Sequence, residues 1–165
     1  MSITKEQIEA RKHNLEHDFQ TVKQQIEEGE VKITSMKNNL NALADTASIT
    51  ATAAVNAGRT NVFPDTSQNT TVTLPTPSAG LSFRFIYGGA AADATDHIIK
   101  TAGNTIFFKG AITHLDTDGN SNAVVFSDGN SNSIISLVTP QSYVIDLVGA
   151  SATVYHVSGL SLIHI

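Results

Sequence analysis

The sequence predicts a mainly β protein introduced by one long, coiled-coil-like N-terminal α-helix. Three observations carry that expectation. Charge crowds into the first 47 residues, which hold 6 of the 10 Lys/Arg and 8 of the 15 Asp/Glu. Apolar residues recur there in alternating steps of four and three, the helical seam period. From about residue 69 the pattern becomes short β-branched and aromatic runs with turn residues between them, as in an antiparallel β-sandwich or jelly-roll-like domain. The chain therefore divides into a helix over 1–47, trimerising or docking, a linker over 48–68, and a β-sandwich domain over 69–165.

The helix opens at Thr4, an N-cap with Gln7 three residues on, and Ile3 and Ile8 stand at the staple positions. One seam series is Ile8, Leu15, Val22, Met36 and Leu43; the other is Phe19, Ile26, Ile33, Leu40 and Ala47. Together they form a narrow stripe of the kind that pairs with other helices. Lys12 and Gly29 interrupt it, and Gly29 predicts a kink or a break, since glycine costs about 1 kcal/mol against alanine in a helix. In a parallel coiled coil Arg11 would face Glu16 and Asp18 would face Lys23, both attractive, whereas Lys32 would meet Lys37. The stripe Ile8, Leu15, Phe19, Val22, Ile26, Ile33, Met36, Leu40 and Leu43 is the expected helix interface. His13 and His17 lie one turn apart, off the seam and without a third ligand, so a solvated face is the better reading than a metal site.

Residues 46–62 are small and nearly uncharged, which predicts a fraying helix end and then a linker. Beyond it, the expected strands are TVTL (71–74), LSFRFIY (81–87), HIIKT (97–101), TIFFKG (105–110), AITHL (111–115), AVVF (123–126), SIIS (133–136), SYVIDLVG (142–149), ATVYHVS (152–158) and LSLIHI (160–165). In the second of these, Leu81, Phe83, Phe85 and Tyr87 alternate with Ser82, Arg84 and Ile86, so the aromatics share one face. Helical patterns between the strands are missing, which argues against a parallel βαβ sheet. The β segment has few charges to guard its edges, an invitation to pair with other chains.

Composition also excludes function classes. The net charge is −5 with no Lys/Arg stripe, so nucleic acid is not an expected partner. No run reaches the roughly 18 apolar residues of a membrane span, and no membrane partner is expected. The chain has no cysteine, which removes disulfides, thiolate zinc sites and cysteine nucleophiles. Its first residues, MSITKEQIEARK, carry no secretory-type apolar core, which predicts synthesis in the cytoplasm without export.

The string DGNSN occurs at 118–122 and again at 128–132. Asp116, Asp118 and Asn120 have the one-three-five spacing that opens a calcium loop, but the sixth position is Ser121 and the twelfth Ser127, where Gly and a bidentate Glu belong. Asp-Gly-Asn is turn chemistry, so both copies read as turns. The oxygen-rich residues Asp116, Asp118, Asn120, Asn122, Asp128, Asn130 and Asn132 are candidate exposed binding loops. No catalytic constellation, metal site or cofactor motif is expected. The β segment has seven Asp and no Glu, no G-x-S-x-G occurs, and GGAAADA (88–94) lacks a dinucleotide spacing. Asp146, midway along an apolar strand, calls for a partner, and Arg84 or His156 can serve. His97, His114, His156 and His164 stand singly in or beside strands, more as packed or exposed residues than as ligands.

The stretch TVTLPTPSAGLSFRFIY resembles the opening of small β-modules in structural proteins of tailed bacteriophages: a Leu-Pro-x-Pro step, an Ala-Gly turn and an alternating aromatic strand. SIISLVTPQSYVIDLVGASATVYHVSG resembles their close, with Tyr155 and His156 where many relatives carry Trp. The helix with its KNNLNALAD end is also similar to N-terminal helices of small phage virion proteins. The resemblance covers about residues 70–160. It implies a homotrimeric virion protein, not an enzyme, of the capsid decoration (cement) or head-fibre type. Its partners would be copies of itself and the major capsid protein. Tail-fibre or baseplate recognition of host surface glycans is the alternative.

Overall fold

The computed structural model describes residues 4–37, 39–116 and 122–163. The chain forms two compact units, 1–38 and 39–165.

The first unit is a single helix, α1 (Lys5–Lys37). Its start is the predicted capping box: the Thr4 amide donates to Gln7 Oε1 at 3.1 Å and the Gln7 amide to Thr4 Oγ1 at 3.3 Å. Gly29 does not break the helix, and α1 continues through it. The predicted end is corrected. Leu40 and Leu43 are not on the helix, because the backbone there is engaged by a strand: the Thr60 amide donates to the Asn39 carbonyl and the Leu43 amide to the Val62 carbonyl, both at 2.9 Å. Leu40 is an exposed strand residue and Leu43 is buried in the β core, so neither belongs to a helix interface.

The second unit holds β1 (Leu40–Ala42), β2 (Ser48–Thr50), the single turn α2 (Ala53–Asn56), β3 (Thr60–Phe63), β4 (Thr70–Thr73) and β5 (Ser82–Tyr87). Then follow β6 (His97–Lys100), β7 (Phe107–Asp116), β8 (Ala123–Asp128), β9 (Ile134–Leu137), β10 (Pro140–Gly149) and β11 (Val154–Ile163). The supposed linker 48–68 is thus part of the fold, contributing β2, α2 and β3.

One sheet has the order β1-β3-β5-β10-β11-β7-β8, the other β2-β4-β6-β9. Through β6 the chain alternates between them, laying each strand beside its predecessor in the same sheet. Leu40 pairs with Thr60 and Thr60 with Arg84 in the larger sheet; Thr71 pairs with Ser48 and with Ile98 in the smaller. These are parallel ladders, as is β7 with β11, so five of the nine pairings among the described residues are parallel and the sheets are mixed. The expectation of a purely antiparallel sandwich or jelly roll is corrected on that point. Parallel neighbours need a crossover, usually a helix. Here a strand of the opposite sheet does that work, as in the coils of a solenoid.

Both sheets face one core. Phe63, Phe83, Phe85, Phe108, Tyr143, Ile145, Leu147 and Tyr155 come from the larger sheet and Val72, Ile99, Ile135 and Leu137 from the smaller. The predicted alternation in β5 holds for Phe83, Phe85 and Tyr87, which point inward while Arg84 points out. Among the buried polar residues is Asn61, fully buried on β3. Its Oδ1 accepts from the Asn41 and Asn56 amides at 2.9 Å each, and its Nδ2 donates to the carbonyls of Asn56, Arg59 and Arg84. It joins three successive strands, because Asn41 is its register partner on β1 and Arg84 lies on β5.

Candidate functional site

The densest cluster of titratable side chains is buried. Asp93 lies in the loop after β5, His97 opens β6, Tyr143 is on β10, and Thr66 is in the connection from β3 to β4. His97 Nε2 is 3.0 Å from Asp93 Oδ2, and its Nδ1 is 2.9 Å from the Tyr143 hydroxyl. The Phe63 ring stacks on the imidazole at 4.5 Å. Burial would raise the Asp93 pKa. Hydrogen bonds from Thr66, Thr95 and His97 outweigh that and leave it below its ordinary value. Burial lowers the His97 pKa despite the neighbouring Asp93, Asp96 and Asp65. Burial likewise raises the phenols of Tyr143 and Tyr87, the latter also donating to Asp65. These directions agree on one protonation state: a carboxylate, a neutral imidazole and two protonated phenols. A carboxylate only accepts, so His97 Nε2 carries the hydrogen, and Nδ1 accepts from Tyr143.

An Asp–His–Tyr chain has the parts of a proton relay, but His97 is fully buried, Asp93 nearly so, and none of the three lines a cleft described below. Its hydrogen bonds tie two loops to β6 and β10. The pH consequence follows from the signs. An unfolded histidine takes up a proton near pH 6.5, whereas folded His97 resists it, so stability is lost as pH falls below about 6.5. Asp93, lowered in the fold, contributes stability above about pH 3.9 that is lost in stronger acid. The unfolding free energy from urea titrations should therefore drop from pH 7.5 to 5, by at most about 1.4 kcal/mol per pH unit for the one proton on His97. His97→Gln should flatten that part of the curve, and an unchanged slope in the variant contradicts the assignment.

Asp146 has the partner the sequence called for. Arg84 grips it in a bidentate pair, Nε to Oδ1 at 2.7 Å and the second nitrogen to Oδ2 at 3.0 Å, on the outer face of the sheet. Among the oxygen-rich loops, Asp118 and Asn120 lie outside the described residues. Asp116 ends β7 with a buried side chain, and its amide donates to Asn122 Oδ1 at 3.1 Å. The second DGNSN copy is a turn: Gly129 has φ +88°, and the Asn130 amide donates to Asp128 Oδ1 at 2.9 Å. Asp128, Asn130 and Asn132 are exposed. The first copy lies outside the described residues except for Asn122, and the second carries the chain from the larger sheet to the smaller. Among the described residues, no group of three His, Asp or Glu is placed to hold a metal ion.

On α1 the predicted stripe is exposed at Ile8, Leu15, Phe19, Val22 and Ile26; the side chains of Ile33 and Met36 lie outside the described residues. In the β unit an open cleft of about 250 Å³ separates β7 and β8 from β9, walled by Phe108, Ile112, Val125, Ile135, Leu137 and Val157. His114, Ser127, Asn132, Ser136 and Ser161 also line it, and Ser127 donates its hydroxyl to the Phe108 carbonyl at 2.6 Å. These surfaces suit packing against another molecule. No helix among the described residues is long and apolar enough to cross a membrane.

The sequence reading missed Asp93, His97 and Tyr143 as a unit and Asn61 as a hub. An Asp four residues before a His that opens an apolar strand was the one local signal of the first. No family model, no curated protein and no solved structure matches this chain.

Proposed function

We propose that the protein is a homotrimeric structural component of a tailed-phage virion, a decoration or cement protein that binds the outer capsid surface and stabilises the shell. The observation that carries this reading is the helix stripe. Five large apolar side chains from Ile8 to Ile26 stand more than half exposed at seam spacing, an arrangement that water penalises and a second helix relieves. The charge-poor β unit and the resemblance of residues 70–160 to phage β-modules support it. The mechanism is linkage: a protein that binds only the assembled shell stabilises it by about 2.7 kcal/mol at a free concentration one hundred times its Kd.

Light scattering at micromolar concentration is expected to give three times the chain mass, and Phe19→Glu with Ile26→Glu is expected to give a monomer. A wild-type monomer would remove the assembly reading. Labelled protein on particles should decorate the whole shell. A second reading, recognition of host glycans from a tail fibre, is favoured by the exposed turn at Asp128, Asn130 and Asn132. Tail-only labelling would select it.

A further inference from the structure

We infer that the outer face of the seven-stranded sheet is a packing surface for a second copy of this chain, centred on Val144 and Leu160. The register carries the inference. Ala42 pairs with Val62, Val62 with Ile86, Ile86 with Val144, Val144 with Leu160, Leu160 with Thr113 and Thr113 with Val124. These seven residues form one continuous row across all seven strands, and all but Thr113 are apolar. Val144 and Leu160 are each 41% exposed and Val124 is 59% exposed. The same face extends through Leu162 and its partner Leu115 on one side, and through Ala111 and its partner Phe126, 77% exposed, on the other.

The smaller sheet is an internal control. Its outward rows are Ser48–Thr71–Ile98–Ser136 and Thr50–Thr73–Lys100–Ile134. That is the polar dressing expected of a sheet face in water. The larger sheet thus carries an apolar row that the smaller lacks, beside polar rows through Arg84–Asp146 and His156–Lys109–Asp128, and that row departs from what a solvated face requires.

Area and charge identify the occupant. Six strand spacings of about 4.8 Å make the row roughly 29 Å long, and three rows of side chains give a face of roughly 600 Å². That approaches the ~800 Å² per partner of a stable protein interface. The neighbouring row carries Arg84 and Asp146, and the row beyond it Lys109 and Asp128, each a register pair of opposite charge, so copies of this face can meet around a threefold axis without net charge repulsion. This occupant rests on the homotrimer proposed above. α1 ends at Lys37 and β1 begins at Leu40, so helices that associate hold their β units at a short tether's effective concentration, on the order of millimolar. At that concentration even a weak sheet contact is occupied.

The chain has no cysteine, so one introduced thiol reports on one place. Leu160→Cys probes the face, and Ser136→Cys, on the outside of the smaller sheet, is the control. Both are made in the full chain, with and without the Phe19→Glu, Ile26→Glu pair that separates the helices. Maleimide labelling of Leu160→Cys is expected to be at least tenfold slower in the oligomer than in the helix-separated protein, with no such change at Ser136→Cys. A Val144→Glu, Leu160→Glu variant should keep its far-ultraviolet circular dichroism and raise the oligomer's dissociation constant at least tenfold. An oligomer whose Leu160→Cys labels at the helix-separated rate, or whose double-Glu variant dissociates like the wild type, overturns the face and leaves the helix assembly standing. A wild-type monomer overturns the assembly reading and, with it, the occupant named here.

Discussion

Asn61→Ala is expected to destabilise the β unit by about 3 kcal/mol, although it removes no hydrophobic contact of note. The side chain is fully buried and makes five hydrogen bonds. Truncation leaves the side-chain amides of Asn41 and Asn56 and the Asn56 carbonyl without this partner, whereas the Arg59 carbonyl still accepts from the Arg84 amide. A buried polar group without a partner costs about 1–3 kcal/mol, and Asn41, being half-buried, can recover part of its loss from water. A domain of this size has only about 5–15 kcal/mol of stability in all. Asn61→Asp separates hydrogen bonding from shape. It keeps the acceptor for Asn41 and Asn56 but turns the donor into a carboxylate oxygen facing three carbonyls. Burying that unpaired charge costs more than leaving a gap, so at neutral pH the aspartate should be worse than alanine and should recover in acid as it protonates. Urea unfolding at pH 7 and pH 5 tests both. An alanine variant within 1 kcal/mol of wild type would show that Asn61 is not the hub.

The same residue shows why part of the fold was hidden in the sequence. Alternation with a period of two places Phe83, Phe85 and Tyr87 on one face whether the neighbouring strand is parallel or antiparallel. Direction is decided by which strand returns to the sheet, and here the returning strands share no recognisable repeat: LNA, TNVF and SFRFIY lie side by side. Only the Asn41–Asn61 pair marks successive coils, and two asparagines twenty residues apart are no signal in a chain rich in Asn. The helix was legible because its period and capping box are local. Its end was not, because Leu40 and Leu43 satisfy the heptad count while their backbone is claimed by β3, a long-range pairing. Among the site residues, the exposed stripe and the second Asp-Gly turn were readable for the same local reason. The apolar row on the outer sheet face was not, since it exists only once seven strands are in register.

Gly110→Ala should be the most damaging single-methyl change in the protein, at about 3–5 kcal/mol. Gly110 has φ +137°, a conformation that side-chain-bearing residues rarely adopt, and strain of that kind costs about 1–3 kcal/mol. A Cβ there would also lie 2.0 Å from the carbonyl oxygen of Val157, its register partner on β11. Backbone cannot swing aside as a flexible side chain does, so β7 must separate from β11, adding an overpacking penalty of about 1–3 kcal/mol. Gly129→Ala is the matched control. It too has positive φ, at +88°, but its nearest neighbours would be Lys109 Cβ at 3.2 Å and Cδ at 3.3 Å, contacts that a shift of a few tenths of an ångström relieves. The cost there should be about 1 kcal/mol. The two variants therefore differ in the clash far more than in the backbone conformation. Hydrogen exchange adds a spatial readout: Gly110→Ala should strip protection from β7 and from β8, which hangs on β7 alone in its sheet, while β3, β5 and β10 keep theirs. Because β8 carries Val124 and Phe126, the variant should also weaken the copy-to-copy contact proposed for the outer face. Equal destabilisation by Gly110→Ala and Gly129→Ala would mean that β7 and β11 have room to part, and that this central pairing is not the close approach described.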